Sequence, residues 1–287
     1  MDTLDLLGAH VSVTGGAHTA FERGAEIGCR SLQIFVKSPS RWTGAKLDDG
    51  QVAQFREARQ AGPQPVIAHA AYLINLCGDK PDLLEKSRRA LADELERCGR
   101  LGVDGLVVHP GAHLGQGTDA GVDGIARSID DVLAGLEDSG TRLLLENTAG
   151  QGTTMGSTFE ELGAIIARVD QPQRLGVCLD TCHAFAAGYR LDEADGYTRM
   201  LEAIEESCGT VRIEALHLND SKHPAGSRKD RHQNIGHGEI GTEAFTRLML
   251  EPAFAGRPMV LETPLGDEGN GHGQDLQRLR SLLSAGD

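Results

Sequence analysis

The run LGVCLDTCHAF, residues 175–185, carries two signals in one short stretch. Its first part, LGVCLD, is a near-continuous apolar run closing on an aspartate, the pattern of a strand covered on both faces in a parallel sheet. Its second part crowds Cys178, Asp180, Cys182 and His183 into six positions, which raises the question of which side chains do chemistry. Side chains alternate along a strand, so Cys178 and Asp180 share one side, with Asp180 at the rim and Cys178 packed a layer below.

Seven further runs repeat the first signal: LLGAH to His10, SLQIFVK to Lys37, PVIAH to His69, GLVVH to His109, RLLLE to Glu146, IEALH to His217 and PMVLE to Glu262. From His69 onward the ends lie 40, 37, 34, 37 and 45 residues apart, room for one strand, one helix and two loops per interval. The intervening segments read as helices. In LLEKSRRALADELERCGRLG (83–102), Leu84, Ala90, Leu91, Leu95 and Cys98 share one stripe, and Gly99 and Gly102 mark the end. FEELGAIIARV (159–169) follows Thr158 as N-cap, with Glu161 three residues on as in a capping box. Eight such units in an unbroken series predict an α/β fold, a (β/α)8 TIM barrel, as a single domain over residues 1–287. A doubly wound open sheet is the runner-up, and no GxGxxG follows the first strand to recommend it.

The composition, 39% hydrophobic and 24% charged, is that of a globular protein with material for a large core. Apolar runs such as LVV (106–108) are far too short to span a bilayer, and MDTLDLLGAH lacks the regions of a signal peptide, so a cytoplasmic protein with no membrane partner is expected. Six cysteines without a CxxC pair predict buried free thiols. A net charge of −14 argues against indiscriminate adhesion to nucleic acid or anionic lipid. That objection is local in reach: Lys37 with Arg41, Lys86 with Arg88 and Arg89, and SRKDRH (227–232) gather positive charge, and bound divalent cations would cancel carboxylates.

In a barrel of this kind the C-terminal strand ends converge on the active-site face. Here six successive ends read His69, His109, Glu146, Asp180, His217 and Glu262. One His or Glu closing a strand is most simply a hydrogen-bonded structural residue, and six in succession are not explained that way. Three carboxylates confined to one concave site are costly to desolvate and repel one another, so they need protons or cations. Imidazole with carboxylate, and no thiolate, suits zinc, manganese or iron in a multinuclear centre, with the central Glu146 as a natural bridge between two ions. Beyond the strands, His183 in DTCH and the pair Asp230 and His232 in KDRH are placed in loops, and the last two, being two apart, point the same way from an extended segment. His10 is read as lining the site behind the ligands.

The segments AAYLINL (70–76), HPGAH (109–113), ENTAGQG (146–152), GVCLDTCHAFAAGY (176–189), HLNDSK (217–222), GSRKDRHQNIGHGEIG (226–241) and LET (261–263) together resemble the endonuclease IV family of apurinic/apyrimidinic endonucleases. They run in order over essentially the whole chain; DTCH, and HxND followed by DRH, are specific, whereas HPG alone is weak. The resemblance implies a TIM barrel with three Zn2+ ions per chain. His69, His109 and Glu146 would hold one; Glu146 would bridge to a second, held also by Asp180, His217 and Glu262; His183, Asp230 and His232 would hold the third. It further implies hydrolysis of the phosphodiester 5′ to an abasic site in duplex DNA, leaving a 3′-hydroxyl and a 5′-deoxyribose phosphate, a step of base excision repair, with 3′ end cleaning as a related activity. Glu146 and Glu262 would be the catalytic carboxylates, Glu262 orienting the attacking water.

For DNA, the resemblance makes Tyr72 and Leu73 a wedge at the lesion, with Asn75 in the same segment and Arg228 and Lys229 on a basic loop. The family's KSPSRW segment (37–42) presents a basic residue to the gap; here Ser40 falls about where that arginine is expected, so Arg41 or Lys37 would substitute, while Trp42 packs the loop. A monomer is expected. The rival reading is a divalent-metal sugar isomerase or epimerase on a similar barrel, which Glu146, Asp180, His217 and Glu262 alone would satisfy. Such an enzyme has no use for His183, Asp230 and His232. An amidohydrolase is disfavoured because GAHVSV lacks its HxH, and a non-catalytic DNA-damage binder would tolerate loss of ligands, of which none is lost.

Overall fold

Each apolar run becomes a strand, because eight short buried strands satisfy their backbone groups only by pairing in a ring. The computed structural model describes residues 6–266 and 269–284. Its parallel strands are Leu7–His10, Ser31–Ile34, Val66–His69, Gly105–Val108, Arg142–Glu146, Leu175–Asp180, Ile213–His217 and Met259–Leu261. Neighbours in the chain are neighbours in the sheet, and the eighth pairs with the first, Leu7 opposite Met259, closing the (β/α)8 TIM barrel. No helix among the described residues is long and apolar enough to cross a membrane.

The barrel interior explains why the site lies where it does. Ile67, Val107, Leu144, Cys178, Ala215 and Val260 form an apolar cluster of their own, separate from the core between strands and helices. Each stands two residues before one of the six predicted ligands, so each ligand faces the same way and caps this floor. Between the sixth and seventh strands the register slips at Val177 and Cys178, so that Asp180 lies opposite His217 rather than Leu216. That irregularity turns both ligands into the mouth together.

The second strand corrects the expected register. SLQIFVK was expected to run to Lys37, but the strand ends at Ile34 and its inward residue at the rim is Gln33, paired with His10 and Ile67. Lys37 lies in the loop beyond.

The helices follow their apolar stripes. Pro81–Leu101 buries Ala90, Leu91, Leu95 and Cys98 and ends at Gly102, whose φ of 78° is the left-handed conformation of a helix C-terminus. Gly99 lies inside this helix; a Cβ there would meet the Ser139 side chain at 2.5 Å, so close packing explains it. Phe159–Arg168 starts on Thr158, whose hydroxyl accepts from Glu161 N–H, but the Glu161 carboxylate reaches back to Gly156 and Ser157 N–H, so the expected reciprocal box is only half made. His183 sits in the first turn of a short helix, Thr181–Ala187, that begins as the sixth strand ends. The loop after the seventh strand is folded back by the buried Asp220, whose carboxylate accepts from Gly236, Gly238 and Ile240 N–H. This fold carries Asp230 and His232 over the barrel mouth, where His232–Gln233 pairs with Asp220–Ser221.

Candidate metal centre

At the C-terminal mouth the nine predicted ligands fall into three sets, each with its donor atoms within 4.8 Å of one another: His69, His109 and Glu146; Glu146, Asp180, His217 and Glu262; and His183, Asp230 and His232. Glu146 is common to two of them. Its Oε2 lies 3.1 Å from His69 Nε2 and 2.9 Å from His109 Nε2, and its Oε1 lies 2.9 Å from His217 Nδ1. Asp230 Oδ1 lies 3.2 Å from His183 Nε2 and 3.5 Å from His232 Nε2. A cleft of about 430 Å3 opens over the mouth, lined among others by Tyr72, Phe35 and His272.

Five of these residues, Asp180, Glu262, His69, His183 and His232, are held by partners behind the site. Asp180 caps the helix that follows it, Oδ1 accepting from His183 N–H at 2.7 Å, while Oδ2 accepts from the Asn219 amide at 2.7 Å. Asn147 grips the Asp180 backbone at both ends, and Asn219 Oδ1 accepts from Glu262 N–H. The Nδ1 atoms of His69, His183 and His232 face the backbone carbonyls of Ala70, Asn147 and Glu262, which leaves their Nε2 atoms for the site.

Within the protein, the histidines balance the carboxylates. Burial would raise the Glu146 carboxyl, but His109 and His217 hold it well below the usual range; His217 does the same for Glu262. Burial likewise opposes charge on His183 and His217, yet Asp180, Asp230 and Glu146 raise the first, and Cys178, Glu262 and Glu146 the second, well above the ordinary imidazole value. Asp230, against its burial, is held down at about 2 by His183, His232 and His109. Divalent cations would serve the same carboxylates, and the donor set fits them. His232 Nε2 is buried without a hydrogen-bond partner and aimed between Asp230 and Asp180, as a ligand atom should be.

All six cysteines are free. Cys178 lies in the barrel floor, and burial pushes its thiol up to about 11. The Cys182 sulfur comes within ligand range of Asp180 and His232, but burial pushes this thiol up to about 12 and it donates to Arg231 C=O. Neither is poised as a thiolate.

The expected DNA contacts divide. Tyr72 is 71% exposed beside the cleft, packed edge-on against Phe35, and Leu73, Arg41, Arg228 and Lys229 are also exposed. Lys37 and Asn75 require correction. The Lys37 ammonium is buried, 3.1 Å from the buried Glu94 carboxylate and donating to Trp42 C=O, so it holds its loop instead of facing outward. The Asn75 amide is spent on the backbone of Ala112 and Cys77. Sequence reasoning passed over Gln33, Asn147 and Asn219. A lone glutamine in an apolar strand was the available signal for the first, and position next to or two beyond a ligand for the others.

Residues 21–282 match the family model described as a xylose isomerase-like TIM barrel. The protein is 49% identical to a probable endonuclease 4 of Halorhodospira halophila, over 92% of this chain and 89% of that one. Its fold superposes on the crystal structure of endonuclease IV from Thermus thermophilus with a TM-score of 0.85 and 38% identity, covering 97% and 99% of the two chains. A D-tagatose 3-epimerase-like protein shares the fold with a TM-score of 0.74 but only 18% identity, over 98% of each chain, a likeness of architecture alone. With its barrel, its ligand-bearing mouth and these relatives, the chain belongs to the endonuclease IV family of xylose isomerase-like TIM barrels.

Proposed function

We propose that this metal-dependent phosphodiester hydrolase incises duplex DNA 5′ to an abasic site, leaving a 3′-hydroxyl and a 5′-deoxyribose phosphate, with three zinc ions held by the three ligand sets. The observation that carries the reading is the third set: His183, Asp230 and His232 converge beside the two sets that share Glu146, and a sugar isomerase needs no such group. When bound, the ions supply an acidified water and positive charge where the phosphate gains negative charge.

The chain's own residues do the rest. Glu146 spans the two deeper sets and fixes their spacing. Glu262, with one oxygen turned to His217 and the other held by Gln33, orients the attacking water in line with the scissile bond. Tyr72 at the cleft edge stacks where a base is missing, and Arg41, Arg228 and Lys229 meet backbone phosphates. Six free thiols, five of them buried, suit work in the reducing cytoplasm; the protein is proposed to act as a monomer.

The test is incubation of the purified protein with duplex DNA bearing one synthetic abasic site, with and without prolonged chelation. A single 5′ cut with a 3′-hydroxyl end, lost on chelation and restored by zinc, is expected. No cut by a metal-replete sample, together with turnover of a ketose, would transfer the site to sugar chemistry.

A further inference from the structure

Three ligating histidines have their ring orientation fixed by backbone carbonyls, which no point mutation removes. His217 is turned over. Its Nδ1 faces Glu146 Oε1 at 2.9 Å and Glu262 Oε2 at 3.3 Å, and its Nε2 faces a side chain, the Gln33 amide oxygen, at 2.7 Å. The other end of that amide lies 2.5 Å from Glu262 Oε1 and 3.0 Å from His10 Nδ1.

We propose that Gln33 is a positioning residue that prepares His217 and Glu262 for metal capture with the two ends of one amide. The argument is one of donors and acceptors and rests on the metal centre proposed above. A carboxylate only accepts, so the amide end at Glu262 is the NH2 group and the oxygen is turned to His217. His217 must then keep a proton on Nε2, which makes Nδ1, the atom facing Glu146 and Glu262, the one that gives up its proton to a bound ion. One hydrogen of the NH2 group occupies Glu262 Oε1, which leaves Oε2 facing the ligand set. The second points at His10 Nδ1, which must accept it, so the His10 proton sits on Nε2, a buried atom without a partner. Gln33 is itself wholly buried, and the register of the second strand sets it beside His10, so its position is as fixed as that of the ligands.

The test compares wild type with Gln33→Leu by zinc retention against a chromogenic chelator. Loss of a partner behind a ligand weakens metal binding by about ten- to a hundredfold. In Q33L one ion per chain should weaken by that factor while the others are held as in wild type, and the incision defect should be recovered by excess zinc. Equal retention of every ion, or uniform weakening of all of them together with a lowered unfolding midpoint of the chelated protein, would overturn the assignment. Nitrogen-15 spectra of zinc-loaded wild type give a readout that needs no variant: the His217 proton is expected on Nε2, and its presence on Nδ1 would overturn the proposal equally. Zinc retention and tautomer are measured without DNA, so they stand or fall apart from the proposed substrate.

Discussion

The metal centre is built from two kinds of support. His69, Glu146, Asp180 and His217 close barrel strands, are almost wholly buried, and stand on an apolar floor contributed by the same strands. Asp230 and His232 hang from the loop that Asp220 folds back, and the Asp230 side chain is 40% exposed. Strand ends cannot move without breaking sheet pairing, whereas a loop ligand moves at the cost of a few hydrogen bonds. The deep part of the site is therefore the more rigid, and the loop part the more readily displaced.

The largest effect should follow from breaking the deep part at its shared member. Glu146→Gln keeps shape but withdraws charge from both deeper sets, and several kcal/mol of charge stabilisation corresponds to roughly a thousandfold in incision rate. Metal analysis should show at least one deep ion lost. Asp230→Asn should cost less, about a hundredfold, with one ion lost to brief chelation and the others retained. If both variants lost all ions together, the division between strand-borne and loop-borne support would be wrong.

Removing the metals tests the same division through pH. The raised pKa values of His69, His183 and His217 mean that their contribution to stability is complete below the unfolded value of about 6.5 and is lost as pH rises through the folded values. For Glu146 and Glu262, lowered in the fold, the contribution is present above about 4.3 and is lost on acidification. The chelated protein should thus be most stable near pH 5–6 and soften as pH rises above about 6.5. The metal-loaded protein should show the reverse trend over that range, since protons compete with metal for the same imidazoles. Urea unfolding of both forms at three pH values checks it.

Much of the strand-borne part was legible in the sequence because parallel strands buried on both faces leave few polar residues, and those at their ends stand out. Glu146, Asp180 and His217 close their strands as expected, and His109 and Glu262 follow theirs by one residue. The second strand was misread because Phe35 and Val36 prolong the apolar run to Lys37 although pairing stops at Ile34, which hid Gln33. Lys37 and Asn75 looked available to DNA because sequence records charge and polarity but not burial; Glu94, which neutralises Lys37, is 57 residues away. The helix holding His183 is only seven residues long and starts where the strand ends, too short for its periodicity to show.

Away from the metals the expected effects shrink. Tyr72→Ala removes an exposed ring worth ~1–3 kcal/mol if it stacks on a base, so KM for abasic DNA should rise about tenfold or more with kcat little changed. A fall in kcat alone would instead tie Tyr72 to Phe35 and the cleft wall.

The smallest effect separates two lysines that the sequence alone presents alike. Lys229 is exposed on the loop that bears Asp230, whereas the Lys37 ammonium is buried against Glu94. Each phosphate contact contributes about 0.9 to the slope of log affinity against log salt, so Lys229→Ala should flatten that slope by about one unit, or about threefold in affinity over a fourfold rise in salt. Lys37→Met should leave the slope unchanged even where it loosens the loop, because a charge already neutralised inside the protein releases no counterion when DNA binds. A flattened slope in Lys37→Met, measured on protein that still folds, would show that the loop opens on the substrate and exposes the ammonium.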